Sequence, residues 1–180
     1  GDLLKRRKSE RTFSDKPIPL KLIANVLGSC KITDNDPERR TYPSAGARFP
    51  IEIYIVAFRV KGLEPGIYHF NSRKFSLETI LLSDLKKFET EFVSPFLKNP
   101  AGAVVLTSVM SRSEVKYGLK AYPYSLIEAG HMGQNILLSC IKNKVGSCPV
   151  GGFVNDRIIE LFDLTEDEVP LYVIGFGFKA

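Results

Sequence analysis

Leu20, Ile23, Ala24 and Leu27 fall at helical spacing after Pro17 and Pro19 and before Gly28, which predicts a helix over 19–29. Runs rich in β-branched and aromatic residues then predict strands. They are IEIYIVAF from Ile51, GIYHF from Gly66 as its hairpin-like partner, Phe75 to Leu82, Ala103 to Met110, and Leu171 to Phe178. Ser83-Asp84 can cap a helix reaching about Phe92, and Asn155 or Asp156 can cap another to about Phe162. Ser111-Arg112-Ser113-Glu114 has the spacing of a capping box and opens a short helix through Lys116 and Tyr117.

The longest helical pattern runs from about Tyr124 to Lys144, with Leu126, Ala129, Gly130, Gly133, Ile136, Leu137, Cys140 and Ile141 three and four apart. Glycine inside a helix costs about 0.5 to 1 kcal/mol relative to alanine, so Gly130 and Gly133 point to close packing by another backbone, in the core or at a subunit interface. Residues 31–49 hold Pro37, Pro43, Gly46 and three arginines without an apolar period. They predict a long loop, of a kind usually functional in a compact domain.

The alternation of both element types within 180 residues predicts one α+β domain over 1–180. A chain that is 44% hydrophobic and 25% charged excludes disorder, and at this length it can bury a core without a disulfide or metal staple. The formal charge of +5 is mild and mostly scattered, which argues against a nucleic-acid track. An odd count of three cysteines, Cys30, Cys140 and Cys148, among apolar neighbours reads as reduced thiols in a cytoplasmic protein. No apolar run reaches the roughly 18 to 20 residues of a membrane span, and GDLLKRRKSERTF is not a signal core.

His69, His131 and the cysteines show no metal-ligand spacing, so no metal is expected. There is no G-x-S-x-G elbow, P-loop or G-x-G-x-x-G turn. Arg6, Arg7, Ser9 and Arg11 could instead form a phosphate site without glycines, because guanidinium forks grip phosphate oxygens in pairs and a hydroxyl adds a hydrogen bond. The alternative is a solvated basic face.

Five strings occur together: Arg7-Lys8-Ser9-Glu10-Arg11-Thr12-Phe13; Pro43-Ser44-Ala45-Gly46-Ala47 before Pro50-Ile51-Glu52-Ile53-Tyr54; Gly66-Ile67-Tyr68; Glu128-Ala129-Gly130-His131-Met132-Gly133-Gln134-Asn135; and Gly151-Gly152-Phe153. In this order, over residues 5 to 178, the chain resembles the nitroreductase family of flavoproteins, and within it the SagB-type and McbC-like dehydrogenases that oxidise azoline rings in peptides. The resemblance implies an FMN-dependent α+β fold with a central, mostly antiparallel sheet flanked by helices, forming a homodimer with shared flavin sites. By motif position, Arg7, Ser9 and Arg11 would hold the FMN phosphate and ribityl end. Pro43, Ser44, Ala45 and Gly46 would contact the flavin of the other subunit, Asn135 would meet the flavin or its ribityl chain, and the amides near Gly151 and Gly152 would face the ring's N5 and O4 edge. Read without the resemblance, these are a surface loop, a solvent-facing amide and a turn. Family members often carry a further basic tail at the phosphate, for which Lys179 is the expected substitute.

Lys116-Tyr117 carries the resemblance to the azoline-oxidising branch, where such a pair is thought to assist proton removal. Helix neighbours point about 100° apart, so both reach one site only near a helix end, which Gly118 and Pro123 would provide. An exposed lysine beside a packed tyrosine is the plain alternative. The expected substrate is a small or peptide-derived heterocycle. The competing readings are an NAD(P)H-dependent nitro or quinone reductase and a flavin-binding protein without external redox turnover.

Overall fold

The computed structural model describes residues 2–33 and 36–180, leaving out the side chains of 36–38. In chain order the elements are α1 (Asp2–Arg6), β1 (Ile18–Pro19), α2 (Leu20–Leu27), β2 (Ile32–Thr33), β3 (Asp36–Arg40), β4 (Ile51–Ala57), β5 (Val60–Lys61), β6 (Gly66–Asn71) and β7 (Ser76–Leu82). There follow α3 (Glu89–Val93), β8 (Gly102–Val109), α4 (Ser111–Tyr117), α5 (Ala121–Lys142), β9 (Gly146–Val150), α6 (Asn155–Phe162) and β10 (Glu168–Gly177). Six strands make one antiparallel sheet in the order β7-β6-β4-β8-β10-β9.

The central strands read as continuous apolar runs because both of their faces are covered. Along β4, Ile51, Ile53, Ile55 and Ala57 join a core with Ile23 and Val26 of α2 and Met132, Ile136 and Cys140 of α5. Tyr54 and Val56, alternating with them, join a second core with Phe92 of α3 and Ile158 and Phe162 of α6. Strand geometry sends successive side chains to opposite faces, so Val104 and Leu106 of β8 enter the first core while Ala103 and Val105 enter the second.

Several sequence expectations are corrected. The capping box at Ser111 does not form, since Met110 occupies the cap position without a side-chain bond. Asp167 does that work from outside the helix: its carboxylate accepts the Ser111 N–H at 2.9 Å and the Ser111 hydroxyl at 2.5 Å. Neither Asn155 nor Asp156 caps α6, which begins after Val154 with no side-chain cap. Asp84 accepts the Lys86 N–H at 3.0 Å but caps no helix: a short 3-10 turn follows Leu85, and α3 begins only at Glu89 after Phe88, neither with a side-chain cap. Strand β9 has no counterpart among the expected elements, because Gly146, Ser147 and Pro149 dilute its apolar signal. The expected loop over 31–49 contains the β2-β3 pair, and residues 34–35 lie outside the described residues.

Helix α5 is divided along its length. Ala129, Met132, Gly133, Ile136, Leu137 and Cys140 are buried, whereas Leu126 and Gly130 are exposed. What needs the missing side chain at Gly133 is the ring of Tyr172 on β10, 2.5 Å from where a Cβ would stand. The close approach expected there is thus made by an aromatic side chain of the same chain.

Candidate functional site

Apart from Asn135, the expected site residues fall into two groups. The first lies along the edge strand β9. Residues 8–12 pass beside it: the Glu10 N–H donates to the Ser147 carbonyl at 3.0 Å, and the Arg11 carbonyl accepts the Lys98 N–H at 2.8 Å. Ser9 and Arg11 make their contacts on one side of this segment. There Ser9 bonds the buried Cys148 thiol, Arg11 bears on that same thiol electrostatically, and Arg7 bears on Tyr172. Lys8 and Glu10 take the other side, where Lys179 Nζ sits 2.7 Å from Glu10. The lysine expected to replace a basic tail is therefore held on the face away from Arg7, Ser9 and Arg11. Beyond Val150 the chain leaves the sheet at Gly151 and Gly152, where an added Cβ would meet nothing within 4 Å. From Cys148 to Gly151 is three residues of extended chain, about 10 Å. Cations and a hydroxyl at one end and bare backbone beside open space at the other suit an elongated ligand with an anionic end, as FMN is.

The second group lies over the start of β4. The Ser44 hydroxyl accepts the Phe49 N–H at 2.9 Å and closes a tight loop in which Gly46, Ala47 and Phe49 all have positive φ (55°, 53° and 48°). Left-handed backbone at two non-glycine residues is strained, and such strain persists only where surrounding structure holds it. Arg48 Nε donates to the Arg112 carbonyl at 2.6 Å, and Arg112 donates back to the Phe49 carbonyl at 3.2 Å. The loop is thereby tied to α4, whose last two residues are Lys116 and Tyr117. The helix ends there because Gly118 takes φ 52° and ψ −132°. Both side chains converge on Gly46: a Cβ at that position would stand 2.3 Å from Tyr117 Oη and 2.7 Å from Lys116 Nζ. Tyr117 is steadied edge-on against Tyr124, ring centroids 5.0 Å apart.

Asn135 belongs to neither group. Its amide donates to the carbonyls of Ser29 at 3.4 Å and Thr41 at 3.2 Å, so it reaches the Pro43–Gly46 loop through Thr41, two residues before Pro43. Among the described residues, no hydrogen bond, ion pair or ring contact joins the first group to the second, and no three His, Cys, Asp or Glu side chains gather as a metal site would need.

One residue acquires a role that sequence reasoning did not give it. Glu128 is 2% exposed, and its Oε1 has no hydrogen-bond partner among the described residues. Burial pushes its carboxyl up to about 7, offset in part by a hydrogen bond from Ser44 and the charge of Arg40. The available signal was its place in the helix: Ser125 and Met132, three and four positions from it on the same face, are buried.

Residues 4–178 match the Nitroreductase family, and the chain belongs to that family. Nitroreductase-family proteins are generally flavin-binding oxidoreductases, and this chain is an oxidoreductase of that family. The chain is similar to MJ1384 of Methanocaldococcus jannaschii, at 27% identity over 97% of this chain and 89% of that protein. It is also 27% identical to the Microcin B17-processing protein McbC of Escherichia coli, over 87% of this chain but only 60% of McbC. The E. coli microcin synthetase McbBCD complex with truncated pro-MccB17 bound shares the fold, with a TM-score of 0.85 and 24% identity over 93% of this chain and 67% of the matched chain.

Proposed function

We propose that the protein is an FMN-dependent dehydrogenase of the SagB-type and McbC-like branch, acting on azoline-like rings of a small or peptide-derived substrate. The observation that carries the reading is the convergence of Lys116 Nζ and Tyr117 Oη on Gly46, which puts a proton-handling pair on the loop expected to meet the flavin. Flavin, when bound, supplies a two-electron acceptor for hydride. Arg7, Ser9 and Arg11 hold its phosphate end, and the backbone at Gly151 and Gly152 lies open to the ring. Asn135 steadies the Pro43–Gly46 loop through Thr41.

Oxidising a C–N ring requires a proton to leave one atom while hydride leaves another, so the site needs a base. Lys116 and Tyr117, with the Lys116 Nζ 5.5 Å over the tyrosine ring, are the pair placed to handle that proton.

The two groups complete one site in a homodimer, each subunit lending its Gly46 loop to the flavin of the other. Exposed Val115, Leu119, Tyr122, Leu126 and Ile127 form an apolar surface on α4 and the start of α5 suited to that contact. Three free, buried thiols fit a reducing cytoplasm. No described helix is long and apolar enough to cross a membrane.

The test is turnover of a thiazoline-containing peptide by Lys116→Ala and Tyr117→Phe at full FMN content. Loss of roughly 10²-fold or more is expected, as for other positioned acid-base groups. Unchanged rates, with flavin reduced rapidly by NAD(P)H, would hand the case to a nitro or quinone reductase, which can draw its protons from water.

A further inference from the structure

Helix α4 is seven residues long with Ser113 as its one buried residue, and Val115 in its middle is 75% exposed. So short a helix has no stability of its own in water, and this one draws little from the core. Polar ties near its start locate it instead. Asp167 binds Ser111, and Arg112 makes the other tie. Arg112 Nη1 lies 2.5 Å from Glu52 Oε1 and donates to the Phe49 carbonyl at 3.2 Å, while Arg48 Nε returns a bond from the loop to the Arg112 carbonyl at 2.6 Å. Loop and helix thus exchange side-chain bonds, and both are referred to one carboxylate.

That carboxylate is a firm reference. Glu52 lies in β4, and its second oxygen is 2.8 Å from His69 Nε2 on β6. Glu78 of β7 lies 3.5 Å from the other ring nitrogen of His69. A line of acidic and basic groups therefore runs from β7 through β6 and β4 to α4. Burial alone would raise the Glu52 carboxyl, but its hydrogen bonds with His69 and Arg112 outweigh it and hold the group below the usual carboxylate range.

Helical spacing decides what this anchor controls. Lys116 lies four residues after Arg112, one turn on along the same face, and Tyr117 follows it. Ala47 and Phe49, with strained positive φ, flank Arg48 on the loop side. Without Arg112 the helix is free to turn and the loop to relax, and these two segments carry the atoms that meet at Gly46. A misplacement of about 1 Å can cost a reaction roughly 10²-fold.

We infer that Arg112, anchored by Glu52, is a positioning residue that sets α4 against the Gly46 loop so that the Lys116 amine and the Tyr117 hydroxyl reach the ring being oxidised. The inference rests on the dehydrogenase reading above and adds two residues to it, which act through Lys116 and Tyr117 rather than on the ring.

Turnover of a thiazoline-containing peptide is measured at full FMN content for Arg112→Gln, Arg112→Lys and Glu52→Gln, and for Arg112→Gln combined with Lys116→Ala and Tyr117→Phe. We expect kcat to fall roughly tenfold or more in Arg112→Gln and Glu52→Gln, with KM changed by less than about twofold, and Arg112→Lys to recover much of the loss. Because Arg112 acts through the pair, adding Arg112→Gln to Lys116→Ala and Tyr117→Phe should slow the protein no further. A wild-type kcat in Arg112→Gln, or a loss that multiplies with that of the pair, overturns the inference. Should Arg112→Gln fail to fold, Glu52→Gln keeps the shape of its side chain and carries the same predictions. If Lys116→Ala and Tyr117→Phe themselves keep the wild-type rate, it is the dehydrogenase reading that fails, and the placement of α4 is then judged by fluorine NMR of 3-fluorotyrosine-labelled protein. The Tyr117 resonance, assigned by its loss in Tyr117→Phe, should shift in Arg112→Gln and return in Arg112→Lys. A resonance that stays in place overturns the positioning role.

Discussion

Glu128→Gln should remove the loss of folding stability that the wild-type protein suffers as pH rises from 5 to 8. The Glu128 carboxyl is pushed up from 4.5 to about 7 by burial, partly offset by Ser44 and the charge of Arg40. Below 4.5 it is protonated in both the folded and the unfolded chain and contributes nothing. As pH rises towards 7 the unfolded chain gives up the proton first, so folding stability falls through that window and stays low above it. A difference of 2.5 pKa units (7 − 4.5) at 1.36 kcal/mol each is about 3 kcal/mol, of which about 2 to 3 is lost between pH 5 and pH 8. Glutamine has the same shape and cannot ionise. A buried amide left short of partners has its own cost of about 1 to 3 kcal/mol, but that cost does not vary with pH. Urea denaturation of both proteins at pH 5, 6, 7 and 8, at equal flavin content, isolates the titrating part. The variant's stability relative to wild type should rise by about 2 to 3 kcal/mol across the series. Parallel profiles, or a variant that falls behind as pH rises, would refute the burial argument.

Two further perturbations probe the site and the subunit contact. Gly46→Ala puts a methyl group into Lys116 Nζ and Tyr117 Oη at a backbone angle that alanine disfavours, so turnover should drop at least tenfold in steady-state assays while bound FMN is retained. Leu119 is 100% exposed and Leu126 lies on the same surface, so Leu119→Asp and Leu126→Glu should leave the monomer folded by circular dichroism and halve the mass seen by light scattering.

How much of this was legible in the sequence depends on whether the causes were local. The central strands were readable because β4 and β8 are buried on both faces, so their apolar runs are unbroken. Strand β9 was not, because an edge strand holding Gly146, Ser147 and Pro149 takes its order from β10 and from the arm at residues 8–12 rather than from its own composition. The cap of α4 was misread for a similar reason. Ser111 and Glu114 have the local spacing, but Asp167, 56 residues away, supplies the bond. Among site residues, the helix end at Gly118 follows from nearby sequence. The ion pair of Lys179 with Glu10, the hydrogen bond of Ser44 with Glu128 and the ion pair of Arg112 with Glu52 join distant segments, which no spacing rule predicts.

The central claim is that Arg7, Ser9 and Arg11 beside β9 hold the phosphate of FMN. A visible-absorbance titration of FMN into flavin-free wild-type protein, Arg7→Ala and Arg11→Ala tests it most directly. The account predicts saturable binding with a perturbed flavin spectrum in wild type and affinity lower by roughly 10- to 150-fold in each variant, the loss of about 1.5 to 3 kcal/mol from one charge-assisted partner. A wild-type protein whose added FMN keeps its free-solution spectrum, or variants that bind it as tightly as wild type, would contradict the claim.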